Sequence, residues 1–420
     1  MSGRRRGSWP IADRSTFVTC MMAAVRSQRC YLSSVADMRV LMIAQSPIAG
    51  DSRILREATA LADAGHTIHI IGRDVPEGFE IGPGITVESV SRSSGLRAGG
   101  GGLAVGHGRR GPKVLAKRFG RWLLLPEHRL RTEKQWRLAA APRVAEAGPF
   151  DVVHAHDFNT LELAAEYAES WQAVLVYDSH ELWFDRALPG RPTPLWRARG
   201  RKFEGELAAK ARLVFTVSDG IAVRLRDRGL KDVRVIRNTF PKADFVPPPL
   251  ERPEGLLYAG RVGAGRDLPT VVGAAKQLAP FRTVLMGSVD PNYRLDLGPV
   301  EVVAERSIDE VDDTLRSYGI SLVTLTNTCE NHRLALPNKL FHAVRAGVPV
   351  VAADLPELRA VVTAHQLGTL YTPGDPGSLA AAVQGLIENY PVYTAGIREA
   401  ADELNWEQDS EALVKAYSEL

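Results

Sequence analysis

Apolar positions recur along the chain with two spacings. RVLMIAQ (39–45) is a short continuous run of the kind shown by a strand buried on both faces. Ile54, Leu55, Ala58, Leu61 and Ala62 instead return every three or four residues and mark one face of a helix, which Gly65 ends. The alternation then repeats. Strands are predicted over 67–72, 151–157, 173–178, 212–218 and 233–238, with helices over 160–170, 203–211 and 219–229 between them. Strands and helices in turn imply an α/β architecture, a parallel sheet covered by helices on both faces.

PKADFVPPPLERPEG (241–255) breaks the rhythm; Pro-rich and aperiodic, it reads as a linker. Beyond it the pattern starts afresh, with strands over 256–260, 283–287 and near 300 and 320, and a helix over 268–279. In LPNKLFHAVRAGVPVVA, Pro337 opens a helix, and Gly347 and Pro349 close it ahead of a Val-rich strand. Two doubly wound domains in tandem follow, 38–240 and 256–395, whose strand C-terminal ends can face one another across a cleft. A length of 420 residues is too great for one ordinary core and agrees with two.

With 45% hydrophobic and 24% charged residues the chain is an ordinary globular one, and no apolar run reaches the roughly 18 residues that a membrane-spanning helix needs. Cys20, Cys30 and Cys329 match neither a disulfide framework nor a zinc site, so a reducing cytoplasm is the expected setting. The net charge of +3 conceals an asymmetry: residues 1–37 sum to +4, and residues 91–143 hold thirteen Lys or Arg against Glu127 and Glu133, which leaves an acidic remainder. Residues 1–37 lack the apolar core of a targeting peptide and read either as a disordered tail or as a start assigned upstream of Met38. The basic insert 91–143 has two readings. It is a solvated amphipathic helix packed on the first domain, or, with Trp122, Leu123 and Leu124 beside the cations, a peripheral anchor on anionic lipid at the inner face of the plasma membrane. Nucleic acid is not an expected partner, because the remaining charge is acidic and no recognition motif occurs.

Candidate chemistry gathers at the predicted strand ends. The first strand leads into QSPIAGDSR, where Gly50 is the only glycine before the helix, so the Gly-x-Gly-x-x-Gly turn of a dinucleotide site is absent. The second domain offers YAGRVGAGRD. Glycines that let backbone approach an anion, interleaved with Arg261 and Arg266, suit a diphosphate; a tight turn with surface arginines is the alternative. His154 and His156 share one face of the strand ending in VHAHD, and the next strand ends in YDSHE with His180 and Glu181. A hydrogen-bonded core position is the commoner fate of a single histidine, but two successive strands that carry His and carboxylate to one edge favour a functional site. Asn338, His342 and Arg345 fall at i, i+4 and i+7 on one helix face. No Asp-x-Asp occurs, and no His/Cys pair has a third member at ligand spacing, so neither a metal nor another cofactor is expected.

Taken in order, DSRILREATALADAGH, DVVHAHDFNTLELA, YDSHELW, FTVSDGIA, YAGRV followed by Arg266, and LPNKLFHAVRAGVPVVA resemble the nucleotide-sugar-dependent glycosyltransferases of family 4, in their Pro-Asn-Lys-Leu-Phe-Glu subgroup. The likeness runs from Arg39 to about the C-terminus, apart from the basic insert. It implies GT-B architecture: two Rossmann-like doubly wound domains facing a central cleft, with a C-terminal helix, 396–420, crossing back to the first. It implies a retaining, metal-independent transfer from a nucleotide-diphosphate sugar, held mainly by the second domain, to a glycan, lipid-linked or small acceptor on the first, commonly in surface polysaccharide or glycolipid assembly. By position, Arg261 and Arg266 match the family's cationic pair on the donor diphosphate, although Lys is commoner at the second place. His156 matches the histidine at the reacting centre, Gly50 the loop facing the phosphates, and Asn338 and Lys339 the segment before the donor helix. Asp51, Arg53, His180 and Glu181 are expected to face the acceptor, and Arg345, without a counterpart, to be an exposed side chain.

One departure bears on the donor site. Family members carry two glutamates eight positions apart where this chain has Leu334 and His342. A charged acceptor bonded to the nucleotide ribose is worth roughly 1.5–3 kcal/mol, so losing it costs about ten- to a hundredfold in donor affinity unless His342 supplies a replacement bond. A catalytically weak scaffold that binds a partner or glycan is therefore a second reading. A sugar-nucleotide 2-epimerase, which shares the cleft but lacks motif support, is a third.

Overall fold

The computed structural model describes residues 37–90, 128–187 and 194–420 except 245, 292 and 295, with the backbone alone at 128–133, 308 and 309. Residues 1–36 with Cys20 and Cys30, and residues 91–127 with Trp122, Leu123 and Leu124, lie outside the described residues. From Met38 onward the chain forms one compact unit built on two sheets. The first contains β1 (Arg39–Pro47), β2 (Thr67–Arg73), β3 (Ile85–Ser89), β4 (Val152–His156), β5 (Val174–Ser179), β6 (Leu213–Thr216) and β7 (Val233–Val235), in the spatial order 3-2-1-4-5-6-7. The second contains β8 (Gly255–Ala259), β9 (Arg282–Met286), β10 (Glu301–Val303), β11 (Gly319–Val323), β12 (Val350–Ala353) and β13 (Gly368–Tyr371), in the order 10-9-8-11-12-13. Every strand pair is parallel.

In each sheet the chain runs out to one edge, returns to the middle and runs to the other edge. The order therefore reverses between β1 and β4 and again between β8 and β11, and ligands lodge at the strand C-terminal ends beside such a reversal. Burial on both faces explains why β1 shows no polar alternation. Val40 and Met42 pack with Ile54, Ala58 and Leu61 of helix Ser52–Asp63, while Leu41 and Ile43 pack with Leu161, Ala164 and Ala165 of helix Phe158–Trp171.

Two segments that follow the linker are built into the core of the first sheet. Helix Trp406–Tyr417 places Trp406, Leu413, Ala416 and Tyr417 against Val40, Met42 and Ile54. Leu334 packs with Tyr177, Leu182, Val217 and Ile221. Each fully buried leucine of this kind stabilises by roughly 1.5–3 kcal/mol, which ties the second domain to the first.

Three local readings change. The strand Ile85–Ser89 was not expected, because it is a half-buried edge strand whose ITVES carries little apolar signal. The helix predicted over 203–211 runs Pro194–Ala208; Gly200 and Gly205 blur its periodicity, and Gly200 is needed because a Cβ there would lie 2.1 Å from the Phe184 ring. The end of the basic insert belongs to helix His128–Ala147, where Trp136, Ala140 and Val144 are buried, Arg137 pairs with Glu162, and Arg143 lies 3.4 Å from Glu88. Among the described residues no helix is long and apolar enough to cross a membrane.

Candidate active site

The reversal between β1 and β4 gathers the first-domain candidates. Register sets Ala44 beside His156 and His156 beside Asp178, so β4 and β5 end together alongside Ala44 of β1. Asp178, fully buried, is the hub: Arg53 donates to it through Nε at 2.7 Å and Nη2 at 2.8 Å, and His180 Nε2 lies 2.7 Å away. Burial opposes the charge of Asp178, but Arg53 and His180 hold its carboxyl well below the usual range. His180 in turn lies 3.4 Å from Asp157. Burial works against its charge as well, yet Asp157 and Asp178 push it up to about 10, which makes it an imidazolium at neutral pH.

His156 is in the opposite state. It is 2% exposed, its Nδ1 is 3.4 Å from Asp178 Oδ2, and its Nε2 has no hydrogen-bond partner among the described residues. Burial outweighs Asp178 and lowers its pKa, so the ring is neutral. Asp157 sits at φ 64°, a strained backbone position for a non-glycine residue, and burial lifts its carboxyl to about 6 against the pull of His180. Glu57, His154, His156 and Asp178 bring ligand-type atoms within 4.8 Å of one another, a spacing a metal ion would accept. Arg53 lies 2.9 Å from Glu57 and 2.7 Å from Asp178 and gives Asp178 its counter-charge, while burial raises the Glu57 carboxyl to about 8 against the pull of Arg53.

Two acceptor-side expectations change in consequence. Arg53 is 4% exposed, and its guanidinium goes to Asp178, Glu57, the Ile236 carbonyl and Asn238, so it does not face an acceptor. Glu181 is engaged by Arg186 and accepts from Asn331 Nδ2 at 3.3 Å. Asp51 caps helix Ser52–Asp63 by accepting from the Ile54 amide at 3.4 Å. His180, partly exposed between its two aspartates, keeps its place at the edge.

The reversal between β8 and β11 gathers the donor-side candidates, and here cations lack partners. Arg266 is half-buried with no ion pair or hydrogen bond to its guanidinium among the described residues, and Lys339 Nζ lies 4.7 Å above the Tyr258 ring without a carboxylate. Burial, with Arg266 beside it, pushes the Lys339 ammonium down to about 7. Gly260, at φ 140°, makes this approach possible, since a Cβ there would stand 2.8 Å from Lys339 Nζ. Arg261 differs: exposed, it forms a two-bond pair with Asp290, whose backbone amide is fixed to the Val262 carbonyl at 3.0 Å. Asn338 is the exposed first residue of helix Asn338–Ala346. Gly50 ends an exposed turn in which a Cβ would meet nothing, so packing does not require the glycine.

His342 and Arg345 turn elsewhere. The His342 ring stands 4.0 Å from Phe240 of the linker region, with Nδ1 3.4 Å from Asp312, and shares no partner with Arg266 or Lys339. Arg345, expected to be exposed, is half-buried, paired with Asp312 and bonded to the Pro241 carbonyl at 3.1 Å.

Segment Glu330–Leu334 spans the cleft. Leu182 donates to Asn331 Oδ1 at 2.8 Å, Ser218 to the Leu334 carbonyl at 2.6 Å, and Arg224 to Glu330 at 2.8 Å. His332, on the same segment, hydrogen-bonds Thr326 and lies against Gly265. The sequence carried a sign of Asp178, two residues before His180 and so on the same strand face, and of Glu57, one helical turn after Arg53. It carried none of Asn331, which acts only across the cleft.

Two family models match, Glycosyltransferase Family 4 over residues 52–241 and Glycosyl transferases group 1 over residues 253–389, with the junction in the linker. The chain belongs to the family 4 glycosyltransferases of GT-B architecture. This nucleotide-sugar-dependent glycosyltransferase is 26% identical over 416 residues to the D-inositol 3-phosphate glycosyltransferase of Geodermatophilus obscurus, across 89% of this chain and 86% of that protein. It is 23% identical over 423 residues to glycogen synthase of Mycobacterium tuberculosis, across 91% and 94%. Among solved structures, the glycosyltransferase is similar to a sucrose-phosphate synthase from Thermosynechococcus elongatus, with a TM-score of 0.67 at 18% identity over 91% of this chain and 98% of that one. It is also similar to Anabaena HepE in complex with UDP-glucose, with a TM-score of 0.62 at 16% identity over 91% and 100%. The shared fold is the pair of Rossmann-like domains.

Proposed function

We propose that this glycosyltransferase, of the Pro-Asn-Lys-Leu-Phe-Glu subgroup, moves a sugar from a uridine diphosphate donor to a hydroxyl of a glycan, glycolipid or small polyol, with retention and without a metal or other cofactor. Its place is the cytoplasm, with residues 91–143 as a contact to the inner face of an anionic membrane. The observation that carries the donor side is the unpaired charge of Arg266 and Lys339 at the β8–β11 reversal. Two cations next to glycine backbone complement a diphosphate, and more so as negative charge develops on it in the transition state. The Anabaena neighbour in complex with UDP-glucose supports this choice of donor. Across the cleft, neutral His156, buried at the end of β4 with no hydrogen-bond partner for Nε2 among the described residues, orients the reacting sugar, and His180 with Asp157 offers polar groups to the acceptor. The bond from the anomeric carbon to the diphosphate breaks as the bond to the acceptor oxygen forms, and the hydroxyl proton passes to the departing diphosphate.

A thermal-shift screen of nucleotide sugars tests the reading. A donor at 100 times its dissociation constant stabilises by about 2.7 kcal/mol. A clear shift with a UDP-sugar is expected, and no shift with any nucleotide sugar overturns the donor assignment. The weak-scaffold reading has one observation in its favour, the engagement of His342 by Phe240 and Asp312. Donor binding without transfer to any hydroxyl acceptor would support it.

A further inference from the structure

Three buried groups behind His156 have no part in the transfer described above: Glu57, His154 and Tyr417. They form a chain from the C-terminal helix to the reacting centre. Tyr417, the last residue of helix Trp406–Tyr417, is 1% exposed, and its hydroxyl lies 2.7 Å from His154 Nδ1. A buried phenol stays neutral and donates, so Nδ1 accepts and the proton of neutral His154 rests on Nε2. That N–H has no hydrogen-bond acceptor among the described residues, and both carboxylate oxygens of Glu57 and Nε2 of His156 lack hydrogen bonds too. Yet these three residues bring ligand-type atoms within 4.8 Å of one another. Buried polar groups left single are costly, whereas the His154 N–H and Glu57, in residues this close, are satisfied together by a small shift or one bridging water, with Glu57 Oε1 also 2.9 Å from Arg53 Nε. The rings of His154 and His156 are also stacked, centroids 4.4 Å apart and planes 19° from parallel, so one ring cannot turn without displacing the other.

We infer that Tyr417 and Glu57 are positioning residues for His156: Tyr417 fixes the tautomer and tilt of His154, and His154 with Glu57 holds the stacked ring so that His156 keeps its orientation at the reacting centre. The inference rests on the role given to His156 in the proposed function. Asp51, Arg53, Asp178 and His180 supply the remaining charge around the two rings. A device at the far end of the chain thus acts on the reacting centre, and correct seating of the last helix becomes a condition for transfer.

The test uses the full chain with Tyr417→Phe and Glu57→Gln, which preserve shape. In ¹⁵N imidazole spectra recorded without nucleotide sugar, His154 should show the Nε2-protonated tautomer, and Tyr417→Phe should move the signals of both His154 and His156. In turnover, each variant should lose about ten- to a hundredfold in kcat, the scale of a small misplacement, with the donor KM unchanged. Unaltered His156 signals, or kcat falling only in proportion to lost folded protein, would overturn the inference. So would a stoichiometric metal ion that Glu57→Gln removes. A wild-type protein that transfers no sugar would count against the proposed function, while the spectra would still decide the positioning.

Discussion

On the first-domain wall of the cleft every central cation meets a carboxylate: Arg53 has Asp178 and Glu57, and His180 has Asp178 and Asp157. On the second-domain wall Arg266 and Lys339 meet none among the described residues. The first arrangement holds its charged groups in place through its own ion pairs, so substrate finds them already oriented. The second holds two like charges close together at a cost that an anion relieves. One wall has its charges paired by the fold, whereas the other holds cations that would complement an anion.

The comparison breaks most visibly at Asp178. Asp178→Asn removes the partner of buried Arg53 and of part-buried His180, and should cost about 3–5 kcal/mol of stability, read as a lower denaturation midpoint. Arg266→Ala should do the reverse: leave the midpoint of the ligand-free protein unchanged or raised, and weaken UDP-sugar binding about a hundredfold by calorimetry. A midpoint lowered as far as by Asp178→Asn would show that the second wall is also structural. Arg261→Ala should weaken binding less, because a diphosphate must first take Arg261 from Asp290. The smallest effect is one of pH. With a ligand-free value of about 7, depressed by burial and Arg266, Lys339 is raised again when it pairs with the donor. Binding therefore takes up a proton above pH 7, and affinity should fall with rising pH, up to about tenfold per unit. In Arg266→Ala the onset should move to higher pH, since a neighbouring cation is gone.

The two sheets were legible because parallel strands buried on both faces leave continuous apolar runs, and the linker because prolines interrupt them. The meeting of His156 and His180 at one sheet edge was legible because they stand at the ends of β4 and β5, whereas Arg266 lies in the loop beyond β8. Arg53 and Glu181 were misjudged for one reason. A charged residue at a cleft edge looks like a ligand in sequence, whereas its partner, Asp178 for one and Arg186 with Asn331 for the other, decides whether that charge is free. His342 shows the same limit, since Phe240 and Asp312 come from separate segments of the chain. Leu334, read as a missing glutamate, fills a position in the first domain's apolar core, where a carboxylate would be costly.

The closing of the first core by Leu334 and helix Trp406–Tyr417 also has a meaning during synthesis. Domains on a growing chain generally fold in order of emergence. Here β1 and helix Ser52–Asp63 leave the ribosome long before the residues that cover Val40, Met42 and Ile54, and this apolar face stays open until helix Trp406–Tyr417 has emerged. Nascent chains of this glycosyltransferase should therefore call on chaperones late, and a premature stop within the last helix should yield a product marked for proteolysis although both sheets are present.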